Sequence, residues 1–168
     1  DDLSPFSLED MTKDSKDYKW VIPKEQRYLT DTEEINNAKA LWHSLKDIWS
    51  KSAIAALCGS CHVESTLNPN LYQMGDVPDS QKGFGLVQWT PYTRITNWLG
   101  SHGYTSYTMY GKGEVAKLVE EWSTNATNGP WIPTSSYNIT FQQWSHMEAD
   151  MNYMVMAFMA DYERGDRS

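Results

Sequence analysis

The 168-residue chain sets 14 Lys and Arg against 22 Asp and Glu, a formal net charge of -8, with 40% apolar and 21% charged residues. That size and balance fit one water-facing domain around one hydrophobic core. The acidic residues are spread along the chain and no run of five or more Lys or Arg appears, which argues against nucleic acid and anionic membranes as partners.

Residues 1 to 26 are mixed in charge, carry Pro5 and Pro23 and show no clean period. They read as an extension or linker before a domain over 27–168. Thr30-Asp31-Thr32-Glu33 is a capping-box pattern. Ile35, Ala38, Leu41, Trp42, Leu45, Ile48 and Trp49 follow at helical spacing. A second helix is expected from a cap at Ser52, with Ile54, Leu57, Cys58 and Cys61 on one stripe and Pro69 beyond its end.

Residues 70–82 are polar with Gly75, Pro78 and Asp79, so they read as a loop. Gly83-Phe84-Gly85-Leu86-Val87-Gln88-Trp89 predicts a short strand or hairpin with glycines where the backbone bends. Thr90-Pro91 predicts a helix start, with Ile95, Trp98 and Leu99 on its apolar face and Gly100 and Gly103 at its end. Glu114 to Trp122 reads as another amphipathic helix, and 123–138 as a loop. Thr140 is expected to cap a short helix through Met147, and Asp150 the last one, with Met154, Val155, Phe158 and Tyr162 on one face. The longest plain apolar run, Met154 to Ala160, is too short to span a bilayer. The pattern is α+β and mainly α, with one small β element after the second helix.

Cys58-Gly59-Ser60-Cys61-His62 matches the short pattern for covalent haem attachment, and its CxxC part matches redox and zinc patterns. A helix that runs straight through the segment favours two small buried thiols instead. With no second CxxC and no HxxxH, a zinc site lacks ligands. No metal or cofactor is expected. Eight Trp and ten Tyr are many for this length; most belong in the core, while some could stack on sugar rings.

Glu64 lies seven residues after Leu57 on the second helix, close to it in azimuth, and so at the end of the apolar stripe. Partial burial there raises a carboxyl's pKa, the property a glycosidase acid needs. Spacing alone fits equally a helix-end Glu paired with Lys or Arg. The segment Cys61-His62-Val63-Glu64-Ser65-Thr66-Leu67-Asn68-Pro69-Asn70-Leu71, followed by Gly83-Phe84-Gly85-Leu86-Val87-Gln88-Trp89-Thr90, resembles the phage tail lysozyme family. It is also similar to the Glu-Ser and Gly-Leu-x-Gln motifs of goose-type lysozymes and lytic transglycosylases. The resemblance runs from about residue 27 to 164.

The resemblance implies a helical lysozyme-like domain with a small β hairpin after the catalytic helix. It also implies action on the β-1,4 glycan strand of peptidoglycan, with Glu64 as catalytic acid. Gly85, Gln88 and Trp89 match the motif lining the cleft, and Gly85, Gln88, Trp89 and Tyr162 become candidate substrate-binding residues. Gln88 reads equally as a strand-end amide facing solvent, and Trp89 as a core residue. Tyr162 and Glu163 match the closing motif, where Glu163-Arg164 reads as a structural ion pair rather than a catalytic element.

No carboxylate lies between Gly83 and Thr90. Asp76 and Asp79 are the nearest candidates for a second catalytic acid, and each is also an ordinary turn residue. Three readings therefore stand: a muramidase, a lytic transglycosylase in which Glu64 acts without a second carboxylate, and an inactive wall-binding or structural tail module. The resemblance also implies a place on a virion tail tip, or an extracellular one, and fusion to other tail domains.

Overall fold

The computed structural model of the chain describes residues 8–12, 18–124 and 129–163. The described structure is helical. α1 (Leu8–Thr12), α2 (Asp31–Leu45), α3 (Lys51–Ser65), α4 (Thr93–Ser101), α5 (Tyr110–Thr124), α6 (Phe141–His146) and α7 (Met151–Phe158) follow in order. Short 3₁₀ turns stand at Asp79–Gln81 and Tyr107–Met109, and a π-helical turn over Met159–Glu163 follows α7. The β element is reduced to two isolated antiparallel bridges, Tyr72 with Phe84 and Phe84 with Trp89.

α2, α3, α6 and α7 begin where side chains satisfy their first amides. Thr30 accepts from Glu33 N while the Glu33 carboxylate returns to Thr30 N. Thr140 and Gln143 repeat this box for α6, and Asp150 caps α7 through Tyr153 N. For α3 the cap is Ser50 rather than Ser52: Ser50 holds the extended backbone a cap requires, φ -71° and ψ 161°, and accepts from Ala53 N. Ser52 is already inside the first turn and bonds Glu148. α2 stops at Leu45, because the amides of Ile48 and Trp49 both fold back to the Leu45 carbonyl. Trp49, expected on α2, is a buried residue of the connection.

Two further boundaries move. Pro91 precedes α4 in a turn closed by Arg94 N on the Pro91 carbonyl, joined to Thr90 by a cis bond, and the helix starts at Thr93. Gly100 lies inside the last turn of α4. Gly103, at φ +88°, ends it, with Tyr104 N bonding Leu99 O and Gly103 N bonding Gly100 O. α5 begins at Tyr110, four residues before the sequence expectation. Gly111 and Gly113 weaken the helical signal there. They are present because a Cβ at 111 would stand 2.3 Å from the Trp20 ring and one at 113 would stand 2.4 Å from Leu99.

α3 is the central helix, packed against α2 on one side and α6 and α7 on the other. Ala53, Ile54, Ala56, Leu57, Cys58 and Cys61 are all buried along it. Around it Trp49, Trp131, Phe141, Trp144, Phe158 and Tyr162 form a continuous aromatic cluster, with Trp131 stacked on Phe141 and Phe158 on Tyr162, each at 4.8 Å. Of the expected extension, Met11 on α1 is buried, its sulfur 3.6 Å from Cys58 Sγ. Val21 exchanges backbone bonds with the Asn37 side chain. The rest of residues 1–7 and 13–17, part of the 123–138 loop, and Arg164 lie outside the described residues. No helix among the described residues is long and apolar enough to cross a membrane.

Candidate active site

The site grows from the C-terminal end of α3. Val63 is exposed, Glu64 half-buried and Ser65 buried, so Glu64 leaves the helix at the boundary between core and water. The residue after it fixes what lies beside it: the Ser65 hydroxyl sits between the carbonyls of Cys61, at 3.1 Å, and Leu86, at 2.8 Å. One side chain thus ties the helix end to the Gly85–Gln88 turn. Thr66, at φ 52°, caps the helix, and its hydroxyl accepts from Leu29 N. The chain then descends through buried Asn68 and Asn70, which bond Arg27 O and Pro23 O.

The 83–90 segment is a tight turn rather than an extended strand. Phe84 and Trp89 exchange both backbone bonds at 3.0 Å, and Gly85 N reaches Leu71 O. Gln88 sits at φ 54°, and its amide nitrogen donates to Leu71 O and Gly85 O. Its amide group therefore braces the turn. Trp89 is buried at 4% exposure. Gly85, at φ +89°, lets the turn rest on a carboxyl: a Cβ there would stand 2.7 Å from Glu114 Oε1.

Glu114 is the most consequential residue that the sequence reading passed over. It is fully buried on α5, accepts from Leu86 N at 2.8 Å, and its Oε2 has no partner. Burial pushes its carboxyl far above the ordinary range, against the smaller opposing pull of the Leu86 amide. The signal was present in the pattern, since Glu114, Leu118 and Glu121 recur at helical spacing on the apolar stripe of α5.

Burial above all holds the Cys61 thiol far above its usual range, and the neighbouring Cys58 and the acids Glu163, Glu114 and Glu64 push it the same way. Glu64 itself is raised by burial, and no Lys or Arg among the described residues pairs with it. Glu163, on the π turn, accepts from Ser60 Oγ at 2.9 Å. Its other oxygen is buried without a partner. Burial first, and then the neighbouring Glu64 charge, push it up to about 8.

The remaining predicted residues lie as follows. Tyr162 is buried and donates to Glu121 Oε1 at 2.5 Å, and Glu121 also meets Lys117. Asp76 and Asp79 are exposed on the loop before the turn, where Asp79 pairs with Lys82 at 3.6 Å. Cys58 and Cys61 are free, buried thiols, and among the described residues no group of three or more His, Cys, Asp or Glu could hold a metal ion. His62 meets buried Glu34 through Nδ1 at 2.7 Å.

Comparison with known proteins bears on this geometry. The family model described as phage tail lysozyme matches residues 36–168. The chain belongs to the phage tail lysozyme family. A curated relative, morphogenesis protein 1 of Bacillus phage B103, is 34% identical over 138 residues, 82% of this chain. The chain spans about a third of that relative's length, 36%. The phage tail lysozyme match takes in α3, the Gly85–Gln88 turn, α5 and the π turn after α7 together.

Proposed function

We propose that this lysozyme-like domain cleaves the β-1,4 MurNAc–GlcNAc bond of peptidoglycan, with Glu64 as the general acid, to open the cell wall locally for a phage tail. The observation that carries the reading is the state of Glu64: a half-buried carboxyl at a helix end, raised by burial, with no cationic partner among the described residues, beside a turn pinned by the next residue. Such an acid keeps its proton nearer to neutral pH and can hand it to the glycosidic oxygen as the C1–O bond breaks. The leaving oxygen departs as a hydroxyl, and a water attacking C1 returns a proton to the carboxylate.

The placement of Asp76 and Asp79 on an exposed loop, with no carboxylate in the 83–90 turn, favours a second version of the same cleavage. In it the substrate's own hydroxyl replaces water and an anhydro sugar forms, which is lytic transglycosylation. A wall-binding tail module without activity is the outcome if no bond is cut.

Mass spectrometry of products from purified peptidoglycan tests these readings. Reducing-end MurNAc marks a muramidase and anhydro-MurNAc a transglycosylase. Glu64→Gln is expected to stay folded and lose on the order of 10²- to 10⁴-fold in rate or more. Undiminished cleavage by that variant removes Glu64 from the mechanism.

A further inference from the structure

The two oxygens of Glu163 are treated very differently. One is held by Ser60, which lies on α3 one turn before Glu64. Residues four apart on a helix are neighbours on its surface, so the bond to Ser60 places the Glu163 carboxyl alongside Glu64. The other oxygen is buried and bonded to nothing. The backbone that delivers the residue is unusual too. α7 gives way to a π turn at Met159, which spreads five residues over Met159–Glu163 and buries Asp161 and Tyr162. Single π turns interrupt helices most often where a side chain must be re-aimed for a task. Here Tyr162 is tied to Glu121, and Glu163 is tied to Ser60.

We propose that Glu163 is a positioning residue of the cleavage reaction: Ser60 holds its carboxyl beside Glu64, and the two acids act as one coupled pair. This rests on Glu64 being the acid of the proposed function. Two neighbouring carboxyls, one of them buried, cannot both ionise readily, and they lose their protons as a pair, in two separated steps. The proton that leaves the pair goes to the glycosidic oxygen. The electron pair of the C1–O bond goes to that oxygen, and the water or sugar hydroxyl that attacks C1 returns a proton to the pair. Glu163 thereby extends the pH range over which Glu64 can act.

Among the described residues no Lys or Arg forms an ion pair with either member of the pair. From α3 the pair meets Ser60, and the charges of Glu163, Glu64 and the α5 acid Glu114 all act on the Cys61 thiol. On its own turn, Asp161 is committed to Thr134 and Tyr162 to Glu121. Lys117 and Arg94 act on the Tyr162–Glu121 pair, and neither is among the charges shifting Glu64 or Glu163.

Glu163→Gln keeps the shape and the acceptor for Ser60 but cannot ionise. The test is the pH profile of peptidoglycan cleavage by the wild type and this variant. The alkaline limb is expected to move down by a unit or more, so that the rate at pH 8 relative to pH 5 falls by at least about tenfold beyond the wild-type fall. A uniform loss at every pH, or an unmoved limb, overturns the proposal, because a purely structural role lowers the rate without shifting the profile.

A second measurement does not depend on activity or on Glu163→Gln folding. Carboxyl ¹³C titration of the wild type should show Glu163 losing its proton near 8, and in Glu64→Gln that midpoint should drop. An unchanged midpoint overturns the pair even where cleavage is confirmed. A shifted midpoint with no cleavage keeps the pair and removes the proposed function instead.

Discussion

Gly85 shows how a single atom can decide the shape of the site. Its φ of +89° is nearly that of Gly103, at +88°, so an alanine at either position pays the same backbone penalty. For L-residues in this region that is about 1–2 kcal/mol. The surroundings differ completely. Nothing lies within 4 Å of a Cβ built at 103, whereas one at 85 meets the Glu114 carboxyl at 2.7–2.9 Å. Gly85→Ala is therefore expected to cost more than Gly103→Ala by a further 1–3 kcal/mol or so, the range for overpacking a close-packed interior. Urea unfolding of the two variants measures the difference, and equal losses would mean that Glu114 yields freely. The need for glycine in this motif was legible in the sequence, as was Glu64 at the end of an apolar stripe. The reason for the glycine was not, because it lies in a contact between residues 85 and 114, which no local pattern relates.

At the scale of elements, Ser50 joins three parts of the fold. Its hydroxyl accepts from Ala53 N at the start of α3 and donates to Met147 O at 2.6 Å, while its backbone amide bonds Ser145 O. The helix that presents Glu64 is thus anchored at its far end to the α6–α7 connection. Ser50→Ala removes a cap and leaves the partly buried Met147 carbonyl short of a donor, an expected loss of about 1–2 kcal/mol. Ser52→Ala removes an exposed bond to Glu148 and should cost no more than about 0.5 kcal/mol. Thermal melts of the pair check the ranking, and the reverse order would restore Ser52 as the cap. Both serines precede the same apolar stripe, so the sequence alone does not choose between them. The choice is made by the 46–50 turn, where Trp49 leaves the α2 register to enter the aromatic cluster. Helices whose caps and periods agree, α2, α6 and the start of α7, were readable directly. The start of α5 was hidden by two glycines that serve packing, and the π turn by a backbone change that has no side-chain signature.

Across the whole molecule, the carboxyls that line the core set how the fold responds to pH. Glu34, Glu64, Glu114, Glu121 and Glu163 are all raised, with burial the largest cause in each case. In the unfolded chain each loses its proton near 4.5, while in the folded state each holds it to higher pH. The folded state therefore binds more protons than the unfolded one, and stability must fall as pH rises from 4.5 through the folded values, which for Glu163 means up to about 8. Glu33 acts in the opposite sense. Its hydrogen bonds with Arg27 hold it at about 2, so its contribution is lost only as pH falls below 4.5, and its partner Arg27 is exposed and screened by salt. The melting temperature is thus expected to be highest near pH 5 and to decline toward pH 8. Glu114→Gln, which keeps an acceptor for Leu86 N but has no charge to expel, should flatten that decline. Calorimetry at pH 5 and pH 8 on both proteins decides the matter. A melting temperature that rises with pH, or a Glu114→Gln variant as pH-sensitive as the wild type, would mean that these acids ionise inside the fold without penalty. The same burial that costs stability at pH 8 keeps a proton available beside the Gly85–Gln88 turn, and this ties the proposed acid at Glu64 to the packing of the entire core.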